Sequence, residues 1–268
     1  MVQIVLLSIL LGYGLCRTAK EYNNIPTIRN RLEIGLDIFR IINNKILFFM
    51  PVGVFFLMYN QFQKIDYTIL YSLLLLIGAV ILSLICMIIL CICVIMIMGK
   101  VGFTKFFKIF SETIFIVVTT ISSLVALPKA IESLKQLDFK ADIVEMYMPF
   151  GVAFLRIGTI SFFLISSLFF IEMFNIDITI EKLFFIVIYS VIAAISTVGA
   201  SSIVAVQMIG IVLGPFGIDT ALVIPILLII NSIVDIPVTL VNVLSNSAIV
   251  AFICPSSEEK NLSNTSMR

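Results

Sequence analysis

Apolar residues run through this chain in long blocks, and the places where the blocks break are as telling as the blocks. Residues 67–98, "YTILYSLLLL…CVIMIM", hold no charge over 32 positions, which predicts one long, tilted helix. Only helices and closed barrels satisfy the backbone in a bilayer, and these runs are too long for barrel strands. Upstream, "ILFFMPVGVFFLMYNQF" at 46–62 predicts a span whose helix begins near Leu32. Residues 16–45 are polar and basic. Residues 2–15, "VQIVLLSILLGYGL", are short for a span. They read as a retained half-length helix, because no Lys or Arg precedes the apolar core and no small-x-small cleavage site follows.

Three later blocks are interrupted. The apolar run 103–119 meets "ISSLVALP" at 121–128 and then turns amphipathic, "KAIESLKQLDFKAD". This predicts a re-entrant hairpin over 103–137. The block 143–171 breaks at "LRIGT", 155–159, and a second re-entrant hairpin is predicted at 183–215 around "AAISTVGASS", 193–202. The last span covers 220–253. Small residues at one break can simply allow close helix packing. Three breaks in succession point instead to backbone that lines a cavity, as in transporters with a mid-membrane site. Each hairpin-like segment precedes an interrupted or charge-bearing span, which reads as an internal repeat.

The expected fold is therefore an all-α integral membrane protein, a multi-span helical bundle with two re-entrant helical hairpins and interrupted helices. Residues 67–253 form its main region, 1–66 a separate set of helices, and 254–268 a polar tail. If 16–45, 99–142 and the tail face the cytoplasm, 14 of the 17 Lys and Arg lie inside, with Lys64 and Lys182 outside and Arg156 buried.

One polar stripe crosses the last span. Asn231, Asp235, Thr239, Asn242 and Asn246 follow one another at spacings of 4, 4, 3 and 4, which puts them on one helix face. In lipid such a face must turn toward other helices or a water-filled cavity. Interhelical hydrogen bonding accounts for the Asn residues. It accounts less well for Asp235, since a carboxylate at the helix centre costs about 2.5–3.5 kcal/mol on insertion scales. Pro237 frees a backbone carbonyl one turn earlier.

Composition narrows the function classes. The chain is 61% hydrophobic and 12% charged, with mean hydropathy +1.20, far from the balance of a soluble domain. Its net charge of +1 points to no nucleic-acid partner, and with no His and no clustered carboxylates it shows no catalytic constellation. Cys86, Cys91 and Cys93 lie within the 67–98 helix, where Cys acts as a small hydrophobe.

Several stretches, in order, resemble the dicarboxylate/amino-acid:cation symporter family, the glutamate-transporter-like elevator fold. "VQIVLLSILLG" is similar to the end of the family's fourth helix and "FFMPVGVFFLM" to its fifth, with the pattern "APIGVF". "TTISSLVALP" resembles the first hairpin tip, "SSSxTLP", and "MPFGVAFLRIGT" the seventh helix, "LPLGATxNMDGT". "AAISTVGASS" resembles the second tip, "ASIGTAGVPG", and "DIPVTLVNVLSNSAIVA" the eighth helix, "DxxRTxxNVxGDxxxxxIVA". Only the end of the family's fourth helix aligns with Met1 onward, so the resemblance implies that residues 1–66 are a remnant of the scaffold helices used in trimerisation and 67–253 most of the transport core.

The resemblance implies a substrate site made of Asp235, which would hold an α-ammonium group, with Thr239, Asn242, Ser122, Ser123, Thr159 and Gly199. It implies cation ligands at Gly151, Leu155, Thr197, Asn242 and Asn246, with Na+ or a proton as coupling ion and no other cofactor. Departures are equally specific. The family's carboxylate-gripping arginine is Val238 here, and its two cation-binding aspartates are Ile157 and Asn246. The first tip has Leu124 and Ala126 for a serine and a threonine, and the second has "GASS" for "GVPG". Arg156 stands where the family has Met. It would pair with Asp235, replace the missing arginine, or snorkel to an interface.

These features imply a cation-coupled symporter of an amino acid or dicarboxylate, with a neutral amino acid favoured over glutamate or aspartate. The bilayer and a homotrimer are the implied partners, and a bacterial inner membrane with a cytoplasmic carboxyl terminus the implied location. The alternative expectation is a truncated, degenerate family member without transport activity, or half of a split transporter.

Overall fold

The computed structural model describes residues 67–200 and 202–253, together with isolated positions between Gly14 and Lys45. Expectations for 2–15, 16–45, 46–62 and 254–268 fall outside the described residues, apart from those isolated positions, which are helical. The chain divides into two units, Met1–Ile65 and Asp66–Arg268, and the helices that follow belong to the second. Among the described residues every regular element is helical.

Helix α1, Tyr67–Gly99, runs 33 residues, about 50 Å at 1.5 Å per residue. That exceeds the roughly 30 Å of a bilayer core, an excess that helices take up by tilting, kinking or local thickening of the bilayer. Two helices follow as an antiparallel pair, α2 (Phe103–Thr120) and α3 (Ser123–Gln136). Next come α4 (Ala141–Phe154) and α5 (Ile157–Met173), separated by Leu155 and Arg156. A second pair starts with α6 (Ile180–Ile195) and returns in two short pieces, α7 (Ser202–Gln207) and α8 (Ile209–Leu213). A 3-10 turn at Gly214–Phe216 leads to α9, Thr220–Ile253, which runs unbroken through Pro225 and Pro237. Among the described residues three stretches are long and apolar enough to cross a membrane: Tyr71–Gly99, Ala141–Met173 and Thr220–Ile253.

Two apolar cores meet along α1 and α9. The first half of α1 (Leu76, Val80, Leu84) and the first half of α9 pack with α5, α6, α7 and α8. The second halves of α1 (Cys91, Ile95) and α9 (Val243 to Ala251) pack with α2, α3 and α4. The α4–α5 break lies where one core gives way to the other. Helix period produces these contacts: Phe106, Phe110, Thr113 and Val117 form the buried stripe of α2, and Ala126, Ala130, Ser133 and Leu134 that of α3.

The breaks are narrower than the sequence patterns suggest. The first is Ile121 and Ser122 rather than 121–128, because the Ser122 hydroxyl accepts from the Val125 N–H and lets α3 begin at Ser123, with Pro128 inside it. In α4–α5 it is Leu155 and Arg156 rather than 155–159.

Candidate functional site

At the first tip Ile121 closes α2 in the left-handed region, φ 50°, and donates its N–H to the Val117 carbonyl at 2.8 Å. A β-branched residue is rarely found there, and such strain costs on the order of 1–3 kcal/mol. The arms hold it in place. Thr113 and Ser133 share a buried hydroxyl–hydroxyl hydrogen bond of 2.9 Å, and Lys129 reaches Glu112 at 2.5 Å and Glu132 at 3.0 Å. At the second tip the left-handed position belongs to Gly199, φ +68°, where glycine costs little. Thr197 is buried and donates its hydroxyl to the Ala194 carbonyl at 2.6 Å.

The α4–α5 break brings two helix ends together. Leu155 closes α4 by donating its N–H to the Gly151 carbonyl at 2.7 Å. The first N–H groups of α5 lack partners within their own helix, as at any helix start. Asn242, from the middle of α9, supplies one. Its Oδ1 accepts from the Gly158 N–H at 2.9 Å and the Thr159 N–H at 3.3 Å, while its Nδ2 donates to Thr159 Oγ1 at 3.0 Å. This cap from another helix lets α5 begin at Ile157, so Gly158 and Thr159 are helical. The two backbones nearly touch: a Cβ on Gly158 would stand 2.3 Å from the Val238 carbonyl oxygen. One turn further along α9 the Asn246 side chain lies against Gly151, with neither its Oδ1 nor its Nδ2 hydrogen-bonded.

Between these parts lies a cavity of about 210 Å³. Ile121, Ser122, Ser123 and Leu124 of the first tip, Val198, Gly199 and Ala200 of the second, Val152 and Arg156 at the break, Ala205 of α7, and Asp235 and Thr239 of α9 line it. One carboxylate and one guanidinium thus share its walls. Arg156 Nε is buried without a hydrogen-bond partner. Thr239 donates its hydroxyl to the Asp235 carbonyl at 2.8 Å.

Of the residues singled out from the sequence, Asp235, Thr239, Ser122, Ser123, Gly199 and Arg156 line this cavity. Asn242 and Thr159 stand behind its wall as a hydrogen-bonded pair, and Asn246 with Gly151 forms a separate contact one turn deeper along α9. Leu155 adjoins Arg156, and Thr197 is turned to its own helix. Asn231 is buried as well, so four of the five stripe residues are fully buried and Asp235 is half-buried. Sequence reasoning passed over the apolar wall of Val152, Val198 and Ala205. Its only signal was adjacency to motif positions. Among the described residues no three His, Cys, Asp or Glu side chains come together as a transition-metal site would require.

Comparison with individual curated proteins finds no match. The family model described as the sodium:dicarboxylate symporter family matches residues 1–254, nearly the whole chain. With its long apolar helices and this match over nearly its whole length, the chain belongs to the sodium:dicarboxylate symporter family.

Proposed function

We propose that the chain is a cation-coupled secondary transporter of a small amino acid, neutral rather than acidic. Family membership makes it a membrane protein of the symporter type. The observation that carries the finer reading is the cavity itself. Both hairpin tips, the helix break and the charged position of α9 converge on one space of about 210 Å³. That is below the ~300–1,000 Å³ of pockets that take drug-sized ligands, and it suits a small metabolite.

In this reading Asp235 holds the substrate ammonium group, with Thr239, Ser122, Ser123 and Gly199 around the ligand. Asn242 and Thr159 act from behind by fixing the start of α5. Val238, where the family pattern has a guanidinium, is a buried apolar residue outside the cavity lining, so it offers an acidic side chain no cationic partner. The coupling cation is cargo, and Gly151, Leu155, Thr197, Asn242 and Asn246 are its proposed ligands. Their availability differs. Asn242 Oδ1 already accepts two N–H groups and Thr197 Oγ1 serves its own helix, whereas Asn246 Oδ1 is buried with no hydrogen-bond partner. Hard cations favour charged oxygens, so an amide at this position predicts weak dependence on sodium. Movement of the second hairpin would open the cavity in an elevator-type cycle.

The test is uptake into liposomes of labelled Ser, Ala, Asp and Glu, with and without a sodium or proton gradient. Gradient-driven uptake of Ser or Ala above Asp and Glu is the expected result. Absence of uptake for all four would overturn the reading. Asp235→Asn should remove amino-acid binding, and wild-type affinity in that variant would refute the assigned role.

A further inference from the structure

We infer that Arg156 is the residue that reads the substrate's carboxylate, so that the cavity is a clamp for a zwitterion, with Asp235 at the ammonium end. This rests on the transporter reading above and names the recognition chemistry of the same cavity.

Four observations converge on it. First, Arg156 lies in the two-residue break between α4 and α5, at φ −97° and ψ 61°, outside both helices. Its backbone is placed by helix ends on both sides, so the side chain is presented from a fixed point. Second, it lines the cavity together with Asp235, and no Lys and no other Arg is among the described lining residues. Third, its Nε is buried and lacks a hydrogen-bond partner. A guanidinium offers five donors in a planar fork that matches the two oxygens of a carboxylate. Fourth, the competing anion site at the start of α5 is closed. A helix N-terminus with open N–H groups binds carboxylates well, and α5 starts beside this cavity. Its Gly158 and Thr159 N–H groups are already taken by Asn242 Oδ1 at 2.9 and 3.3 Å. Among the described lining residues the guanidinium is thus the one cationic donor, with the start of α3 at Ser122 to Leu124 beside it.

The charge pattern follows. One acid and one base on the wall are complemented by a ligand with one ammonium and one carboxylate. A ligand carrying a second carboxylate would have no second guanidinium to meet. Arg156 thus becomes a specificity-determining residue, favouring zwitterions over amines that lack a carboxylate.

The experiment compares binding of L-alanine and L-alaninamide, which lacks the carboxylate, to the purified full chain and to Arg156→Met and Arg156→Lys. The expected result is that wild type binds alanine on the order of a hundredfold more tightly than alaninamide. Arg156→Met should lose that preference by weakening alanine alone, and Arg156→Lys, which keeps charge but loses the fork, should fall between. Equal affinity of wild type for the two ligands would overturn the inference without any variant having to fold. So would an Arg156→Met protein that still prefers alanine as wild type does. If wild type binds none of Ala, Ser, Asp and Glu, the transporter reading itself falls. If it binds alanine but ignores the amide change, only the Arg156 assignment falls.

Discussion

The two hairpins face each other across one cavity but are held together differently. In α2–α3 the arms are joined by polar contacts: the buried Thr113–Ser133 hydrogen bond and the Lys129 ion pair with Glu112. Further along, Lys105 meets Asp138 at 3.4 Å, and Lys135 pairs with Glu145 of α4. These contacts hold Ile121 in a backbone region that its β-branched side chain disfavours. In α6–α8 the arms meet through apolar side chains, Ile186, Ala193 and Ala194 in one core with Val206, Ile209, Val212 and Leu213. The returning arm is split, with α7 packed on α9 and α8 on α6 and α5. The described hydroxyls near its tip, Ser196 and Thr197, donate to carbonyls of their own helix. Apolar packing can slide without breaking a directional bond, whereas a polar brace cannot. The first hairpin therefore reads as a fixed wall and the second as the part whose local opening requires less free energy.

The largest effect should come from the α5–α9 junction, against which the second hairpin packs. Gly158→Ala would place a methyl 2.3 Å from the Val238 carbonyl oxygen and force α5 away from α9. The expected destabilisation is at or above the ~3 kcal/mol upper range for overpacking. It should appear as a lowered thermal midpoint in detergent together with lost alanine binding. A near-wild-type midpoint would mean that the junction is not rigid.

Gly199→Ala tests the mobile side. Nothing lies within 4 Å of the added methyl, so its cost is conformational, about 1–2 kcal/mol for an L residue held at φ +68°. Hydrogen exchange at the second tip and α7–α8 should accelerate, while 113–133 stays unchanged. Before any substitution, exchange should already be faster in 202–213 than in 113–133. The reverse order would break the comparison.

Thr113→Val should lower the stability by about 1 kcal/mol, the typical net value of one intramolecular hydrogen bond. The Ser133 hydroxyl retains the Ile109 carbonyl at 3.4 Å as an acceptor, which limits the loss. Combining it with Ser133→Ala should cost less than the sum of the two changes. Strict additivity would indicate that the pair does not brace the arms. Glu112→Gln should have the smallest effect, because its ion pair with Lys129 is exposed on the carboxylate side. Its small shift in midpoint should vanish at high salt.

Much of the fold is legible in periodicity. The 67–98 run is long because every residue in it is uncharged, and α1 covers it as a single helix. The stripe from Asn231 to Asn246 requires no contact information, since the 3.6-residue period alone aligns those positions. The lengths of the breaks were not legible. "LRIGT" contains a glycine and polar residues that favour irregular backbone, but the partner that makes three of its five residues helical is Asn242, more than 80 residues later. Local propensity cannot register a cap supplied from so far along the chain.

By itself the sequence determined that the chain must be helical and lie in lipid, that its polar face must turn inward, and where its backbone could break. Those outcomes follow from local quantities: hydropathy, helical period and the cost of a charge in hydrocarbon. Only the tertiary structure decided which polar groups are consumed and which remain available. Asn242, Thr159 and Thr197 satisfy backbone and side-chain partners around the site, whereas Asn246 and the Nε of Arg156 do not. That division depends on pairings between segments distant in sequence. It sets Asp235 and Arg156 on the walls of one cavity, two charges that in the sequence lie 79 positions apart.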